Sequence, residues 1–151
     1  MSKLANKVAL VTGGSRGIGA AVALRLAVDG ANVAITYAKD AKAASAVVKA
    51  IERAGQKAIA IQADAIDADA VAAAIEKTVA TFGRLDVLVN NAGTAIPKAF
   101  VETTLEEMDR VLDINVRGVF VATQAALKHC KLKSRQVRSC WAVCSALPAQ
   151  V

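Results

Sequence analysis

Lys7-Val-Ala-Leu-Val-Thr-Gly-Gly-Ser-Arg-Gly-Ile-Gly19 is the stretch from which the rest of the chain can be read. A short apolar run, Lys7 to Thr12, reads as a buried strand, and the three spaced glycines after it as a turn into a helix. Gly13 ends the strand, where a tight turn can require positive φ, and Gly17 has no Cβ to obstruct a diphosphate nearing the backbone. Gly19 would let the new helix pack against the sheet. The helix beginning near Gly17 turns unpaired N–H groups and the positive end of its dipole toward the turn, which favours an anion. The ligand expected there carries phosphate. The spacing, Gly-x-x-x-Gly-x-Gly, differs from the Gly-x-Gly-x-x-Gly of the commonest dinucleotide fingerprint.

Four apolar runs, Lys7 to Thr12, Asn32 to Tyr37, Lys57 to Gln62 and Leu85 to Asn90, start 25, 25 and 28 residues apart. Helical patterns lie between them: Ile18, Val22 and Leu26 before Gly30; Ala44, Val47, Val48 and Ile51 before Gly55; Val71, Ile75 and Val79 before Gly83. A glycine just past each helix is a C-cap signal, and Asp40 and Asp67 stand where N-caps belong. Strand and helix alternating at this period predict right-handed βαβ units in a doubly wound parallel sheet. Such sheets bind ligands at the carboxyl ends of the strands, where the strand order reverses.

The 151 residues suffice for one domain, and 55% hydrophobic with 21% charged residues is an ordinary globular balance. Aromatics are only 3%, so the core must be built from Ala, Val, Ile and Leu. No run approaches the roughly 18 apolar residues of a membrane span, and the start lacks a signal peptide's apolar segment, so a cytoplasmic location is expected. The net charge is +6, but Lys131, Lys133, Arg135 and Arg138 carry four of these, leaving +2 over residues 1–129. That near balance, with no recognisable module, argues against a nucleic-acid partner. All three cysteines and the only Trp also fall after residue 129, so 1–129 reads as the domain and 130–151 as a divergent tail. Cys140-x-x-x-Cys144 with His129 and Cys130 matches no common zinc spacing, and no metal is expected.

After the fourth run come Asn90-Asn91-Ala92-Gly93, a loop, and a long helical pattern from Thr104 to about Lys128. Thr104 and Glu107 have capping-box spacing, and Leu105, Met108, Leu112, Val116, Val119 and Phe120 form an apolar stripe. The stripe either covers the sheet or pairs two copies of the chain; the residues leave both open. Asn115 interrupts it, and an asparagine there either loosens the helix or has a polar partner. At the second strand's end the sequence is Thr36-Tyr37-Ala38-Lys39, without the acid that would read a free ribose 2′-hydroxyl. Lys39 and Arg16 instead supply two cations for a 2′-phosphate, which favours NADP(H) and keeps NAD(H) as the alternative. Asp64 stands after the third strand, either to meet an adenine or to cap the next helical turn.

Thr12 to Gly19, Asp64, Asn90-Asn91-Ala92-Gly93 and Asn115 together resemble four successive signatures of the short-chain dehydrogenase/reductase family. The resemblance runs from about residue 5 to residue 129 and is greatest toward 3-oxoacyl-carrier-protein reductases. It implies a Rossmann-like fold and hydride transfer between a nicotinamide and a carbonyl or alcohol carbon of a small molecule. It further implies that Gly13, Ser15, Arg16, Ile18 and Gly19 hold the diphosphate and ribose side of the cofactor, to which the residues themselves add Gly17 in the turn and Tyr37 and Lys39 at the second strand's end. Asp64 and Ala65 would face the adenine, Asn91, Ala92 and Gly93 the nicotinamide side, and Asn115 would be the catalytic-tetrad asparagine. In full-length relatives the long helix forms much of a dimer interface, so a homo-oligomer is implied as well.

The chain departs from the family where the chemistry lies. Its only tyrosine is Tyr37, and no Tyr-x-x-x-Lys occurs, so the general acid and the lysine that lowers its pKa are missing. Ser145 is the candidate for the substrate-orienting serine. The tail lacks the family's glycine-rich turn and β-branched strand, which reads as a premature end after a reading-frame change; a partly stranded, solvated end is the plainer alternative. The sheet is then expected to be incomplete on its C-terminal side. Three outcomes follow from the sequence: an oxidoreductase by descent with negligible activity, a dinucleotide-binding module without turnover, or a product that does not fold stably.

Overall fold

A computed structural model describes residues 2–129 and, in backbone only, Trp141–Cys144. Five strands, β1 (Val8–Val11), β2 (Asn32–Tyr37), β3 (Ala58–Gln62), β4 (Val87–Asn90) and β5 (Trp141–Cys144), form one sheet in the order β3-β2-β1-β4-β5. Every neighbouring pair is parallel. The helices are α1 (Gly17–Val28), α2 (Ala41–Arg53), α3 (Ala68–Phe82), α4 (Leu105–Leu112) and α5 (Gly118–Leu127). The order reverses at β1, which lies between β2 and β4, so the crevice between β1 and β4 is the switch point of a Rossmann-like fold. β5 falls in the stretch set apart as a tail and pairs with β4, Val89 opposite Val143. The proposed origin of that tail concerns residues that lie mostly outside the described ones.

Helix boundaries follow from local chemistry. Asp40 accepts the N–H of Ala43 at 2.9 Å, and Asp67 accepts those of Asp69 and Ala70 at 3.0 Å. Thr104 and Glu107 close a reciprocal capping box. Gly30, Gly55 and Gly83 follow their helices at φ of +99°, +86° and +79°, where a side chain would cost about 1–2 kcal/mol.

Successive strand residues point to opposite faces, and this divides the core. Val11, Val33, Ile35 and Val89 pack with Ala23, Ala27, Ala44, Val47 and Ile51 from α1 and α2. Leu10, Ala34, Ile61 and Leu88 pack with Val71, Ala74, Ile75, Ala122, Ala125 and Ala126 from α3 and α5. Both faces of the sheet are therefore covered, as the near-continuous apolar strands require.

One amphipathic face differs from the expected one, and the other, left open between covering the sheet and pairing two copies, lies outward. On α1 the buried line is Gly19, Ala23 and Ala27, while Ile18 is half exposed and Val22 and Leu26 only flank the core. Small residues let the helix lie close to the sheet, and the larger ones fill the margins. From residue 105 the chain runs as α4, a π-helical turn over Asp113–Arg117, and α5. Its inward line is Ile114, Gly118, Ala122, Ala125 and Ala126. The stripe of Leu105, Met108, Leu112, Val116 and Phe120 is exposed and does not cover the sheet.

At the amino ends of the strands, Asp86 is 7% exposed. It accepts the Val8 N–H at 2.9 Å and meets Lys7 at 3.3 Å and Arg84 at 2.5 Å. Burial pushes its carboxyl up, but the Arg84 hydrogen bond, the Val8 N–H and the cationic charges outweigh this and hold it below its ordinary value.

Candidate functional site

At the carboxyl end of β1 the ladder runs on into the glycine turn. Thr12 N–H donates to the Val89 carbonyl at 3.0 Å, keeping β1 against β4. The next two amides change partner: Gly13 N–H donates to Thr36 Oγ1 at 3.0 Å and Gly14 N–H to the Thr36 carbonyl at 2.9 Å. The amides of the turn therefore bond to β2, while its Gly13 carbonyl stays with the loop after β4. Gly13 has φ of +64°, and a Cβ on it would lie 3.0 Å from Ala92 Cα. Gly17 has φ of +54° with open space where its Cβ would be. Arg16, at the N-cap of α1, is extended and makes no side-chain capping bond. An uncapped helix start beside an open glycine suits a phosphate group.

Across the switch point, Thr12 joins the β1 turn to the loop after β4. Its Oγ1 accepts the N–H groups of Asn91 and Ala92, both at 3.0 Å, and donates to the Val89 carbonyl at 3.3 Å. Asn91 Nδ2 donates in turn to the carbonyls of Thr12 and Gly13 at 2.9 and 3.0 Å. Gly19 lies against the same amide, and a Cβ there would collide with Asn91 Nδ2 and the Gly13 carbonyl. The three sequence-predicted segments 13–19, 91–93 and the end of β1 thus form one unit.

The remaining loops close over it. Asn115, in the π-helical turn, accepts the Thr94 N–H at 2.9 Å and donates to the Thr94 carbonyl at 2.8 Å. Both expectations for this residue hold, since the helix is loosened there and the side chain has a polar partner. A Cβ on Gly93 would stand 3.3 Å from Asn115 Oδ1, so the loop passes close to the helix. Three residues on, a Cβ at Gly118 would meet the Ala65 carbonyl at 2.7 Å. A small cavity of about 10 Å³ is lined by Thr12, Thr36, Ala65, Asn90 and Ala92 from the ends of β1 to β4, and by Gly118.

Arg16 and Lys39 are both exposed, and neither takes part in an ion pair among the described residues. Tyr37 is partly buried against the α1 and α2 core, and its carbonyl accepts the Ala63 N–H. Asp64 accepts the Ile66 N–H at 3.3 Å, closing a turn, while the next helix is capped by Asp67 instead. Ser145 lies outside the described residues. Among the described residues, no group of three or more His, Cys, Asp or Glu could hold a metal ion, and no helix is long and apolar enough to cross a membrane.

The family model of short chain dehydrogenases matches residues 7–145. The chain belongs to the short-chain dehydrogenase family. An uncharacterized oxidoreductase of Methylorubrum extorquens is 55% identical over 129 residues, 85% of this chain and 52% of that one. A 3-oxoacyl-[acyl-carrier-protein] reductase of Staphylococcus aureus is 49% identical over 120 residues, 80% of this chain and 49% of that one. A short chain dehydrogenase from Burkholderia cenocepacia, solved in complex with NADP, superposes with a TM-score of 0.83 at 56% identity, covering 84% of this chain and 52% of that one. The chain spans about half the length of the family members it matches.

Within this family member, sequence reasoning passed over Thr12 as a clasp, Thr36 as the seat of the turn, Gly14 and Gly118. Gly14 carries a steric signal only in three dimensions, since its Cβ would lie 2.7 Å from Ile35 Cβ. A threonine ending a strand has no local mark that separates it from an ordinary β-former.

Proposed function

We propose that this chain binds a nicotinamide dinucleotide, NADP(H) in preference to NAD(H), and is related by descent to reductases of the 3-oxoacyl-carrier-protein type. The observation that carries the reading is the convergence of the open glycine turn, the Thr12 clasp and the Asn91–Gly93 loop at the switch point. Amides from Ser15 to Gly19 would take the diphosphate, with Gly13 contributing shape. Asp64 and Ala65 would flank the adenine, and Asn91, Ala92 and Gly93 the nicotinamide. Arg16 and Lys39, exposed and without an acidic partner among the described residues, support a 2′-phosphate, and Tyr37 would adjoin the same ribose. When bound, the cofactor would supply a hydride acceptor or donor for a small carbonyl or alcohol substrate.

Turnover by these 151 residues is a different matter. Their one tyrosine, Tyr37, is partly buried against the core at the end of β2, and no Tyr-x-x-x-Lys is present. A missing general acid costs on the order of 10²- to 10⁴-fold in rate. Asn115 would keep its positioning contact with Thr94. These 151 residues by themselves thus supply the dinucleotide site and the Asn115 contact without a Tyr-x-x-x-Lys pair, and dinucleotide binding without turnover is the alternative reading for them. The exposed stripe of Leu112, Val116 and Phe120 supports pairing of two copies, and the reading places the protein in the cytoplasm.

Titration of the chain with NADPH and NADH, following cofactor fluorescence and melting together, tests the reading. Saturable binding with NADPH preferred is the expected result; no binding of either would overturn it. Light scattering over a concentration series tests the pairing.

A further inference from the structure

We infer that Thr36 is a positioning residue for the phosphate turn, a role that rests on the dinucleotide reading above. Two successive amides of the turn end on this one residue: Gly13 N–H on its hydroxyl at 3.0 Å and Gly14 N–H on its carbonyl at 2.9 Å. Register explains why. Val11 pairs with Ile35, so the next residues of the two strands are Thr12 and Thr36, and the turn leaves β1 beside the latter. Ile35 holds the turn from the same side, because only a residue without Cβ fits at Gly14.

The consequence concerns which amides remain for a ligand. With Gly13 and Gly14 bonded into β2, the amides available to an anion begin at Ser15 and continue into the first turn of α1. Thr36 thereby sets the angle at which that row leaves the sheet. It is 5% exposed, and loss of its hydroxyl removes the acceptor of a part-buried amide, the Gly13 N–H. Thr36 also lies three residues before Lys39, which stands just beyond the end of β2. One segment would thus hold the diphosphate turn through hydrogen bonds and the 2′-phosphate through charge, by two separable means.

Separability provides the test. Thr36→Val keeps the β-branched shape and removes the acceptor. It is expected to weaken NADPH and NADH by the same factor, about tenfold, because the turn serves the part common to both. Lys39→Ala is expected to weaken NADPH alone. Thr36→Ser, which restores an oxygen at the same place, should bind both within about twofold of the parent chain. Parent-like binding by the valine variant, loss confined to NADPH, or equal loss in the serine and valine variants would each overturn the role. Should the valine variant fail to melt cooperatively, hydrogen exchange of the Gly13 and Gly14 amides in the cofactor-free parent decides: protection is expected, and exchange at the solvent rate would overturn it. Failure of the dinucleotide reading is distinct, since the parent chain would then bind neither cofactor.

Discussion

Asn115 and Thr94 hold each other by both ends of one side-chain amide, Oδ1 accepting the Thr94 N–H and Nδ2 donating to the Thr94 carbonyl. Each bond is short, 2.9 and 2.8 Å, and together they fix the exit of the Asn91–Gly93 loop to the π-helical turn between α4 and α5. A helix interior disfavours asparagine, so this pairing is what makes the residue tolerable at its position.

Asn115→Leu removes both bonds and leaves two part-buried backbone groups without partners. The expected loss is about 2 kcal/mol of stability, read from the urea midpoint, with faster hydrogen exchange at the Thr94 amide. Asn115→Asp keeps the acceptor and loses the donor, and should fall between the two. An unchanged midpoint for the leucine variant would show that the bridge carries no stability.

Gly118→Ala sets two effects against each other. Alanine is better than glycine in a helix by about 1 kcal/mol. Its Cβ, however, would stand 2.7 Å from the Ala65 carbonyl, and overpacking of this kind costs about 1–3 kcal/mol. We expect net destabilisation in thermal melts and weaker dinucleotide binding through the displaced loop. A stabilised variant would mean that α5 does not approach the loop so closely.

Asp86 makes stability acid-sensitive. Its carboxyl titrates below the ordinary 3.8, so its contribution is complete above that value and is lost as pH falls through the lower, folded-state pKa. Denaturation midpoints measured at stepped pH should drop below about pH 4 in the parent chain. Asp86→Ala, which strands the Val8 N–H, should cost about 1–3 kcal/mol at neutral pH and flatten that acid limb. An acid limb of unchanged steepness in the variant would assign it to other carboxylates.

Arg16 and Lys39 should act on the 2′-phosphate alone. Each single alanine substitution is expected to raise the NADPH dissociation constant about tenfold and to leave NADH unchanged, with the NADPH effect shrinking as salt is raised. Equal losses for both cofactors at Lys39 would show that the residue supports the fold and does not read the phosphate.

The glycine turn, the alternating strands and helices, and the caps were legible because each is a short-range matter. Asp40, Asp67 and Thr104 bond amides two or three residues away, and Gly55 and Gly83 need only their own φ, whereas Gly30 is also closed to a side chain by Ser2. The two amphipathic faces were less so. Periodicity marks an apolar line on a helix without saying whether sheet or solvent lies beside it. On α1 the line beside the sheet proved to be the small residues, Gly19, Ala23 and Ala27, whose weak hydropathy hides their burial. From Leu105 to Phe120 the apolar line faces outward, and the less conspicuous Ile114, Gly118 and Ala122 face in.

By itself, then, the sequence determined the element order, the parallel α/β class and the phosphate-suited turn, because hydrophobic period, glycine placement and capping act over a few residues. Tertiary structure alone decided that the β1 turn leans on β2, that Thr12 reaches Asn91 from 79 positions away, and that Asn115 finds Thr94 across 21. Those relations depend on strand order and register. Only once β1 is seated between β2 and β4 do the hydroxyls of Thr12 and Thr36 stand within hydrogen-bonding distance of the amides they hold.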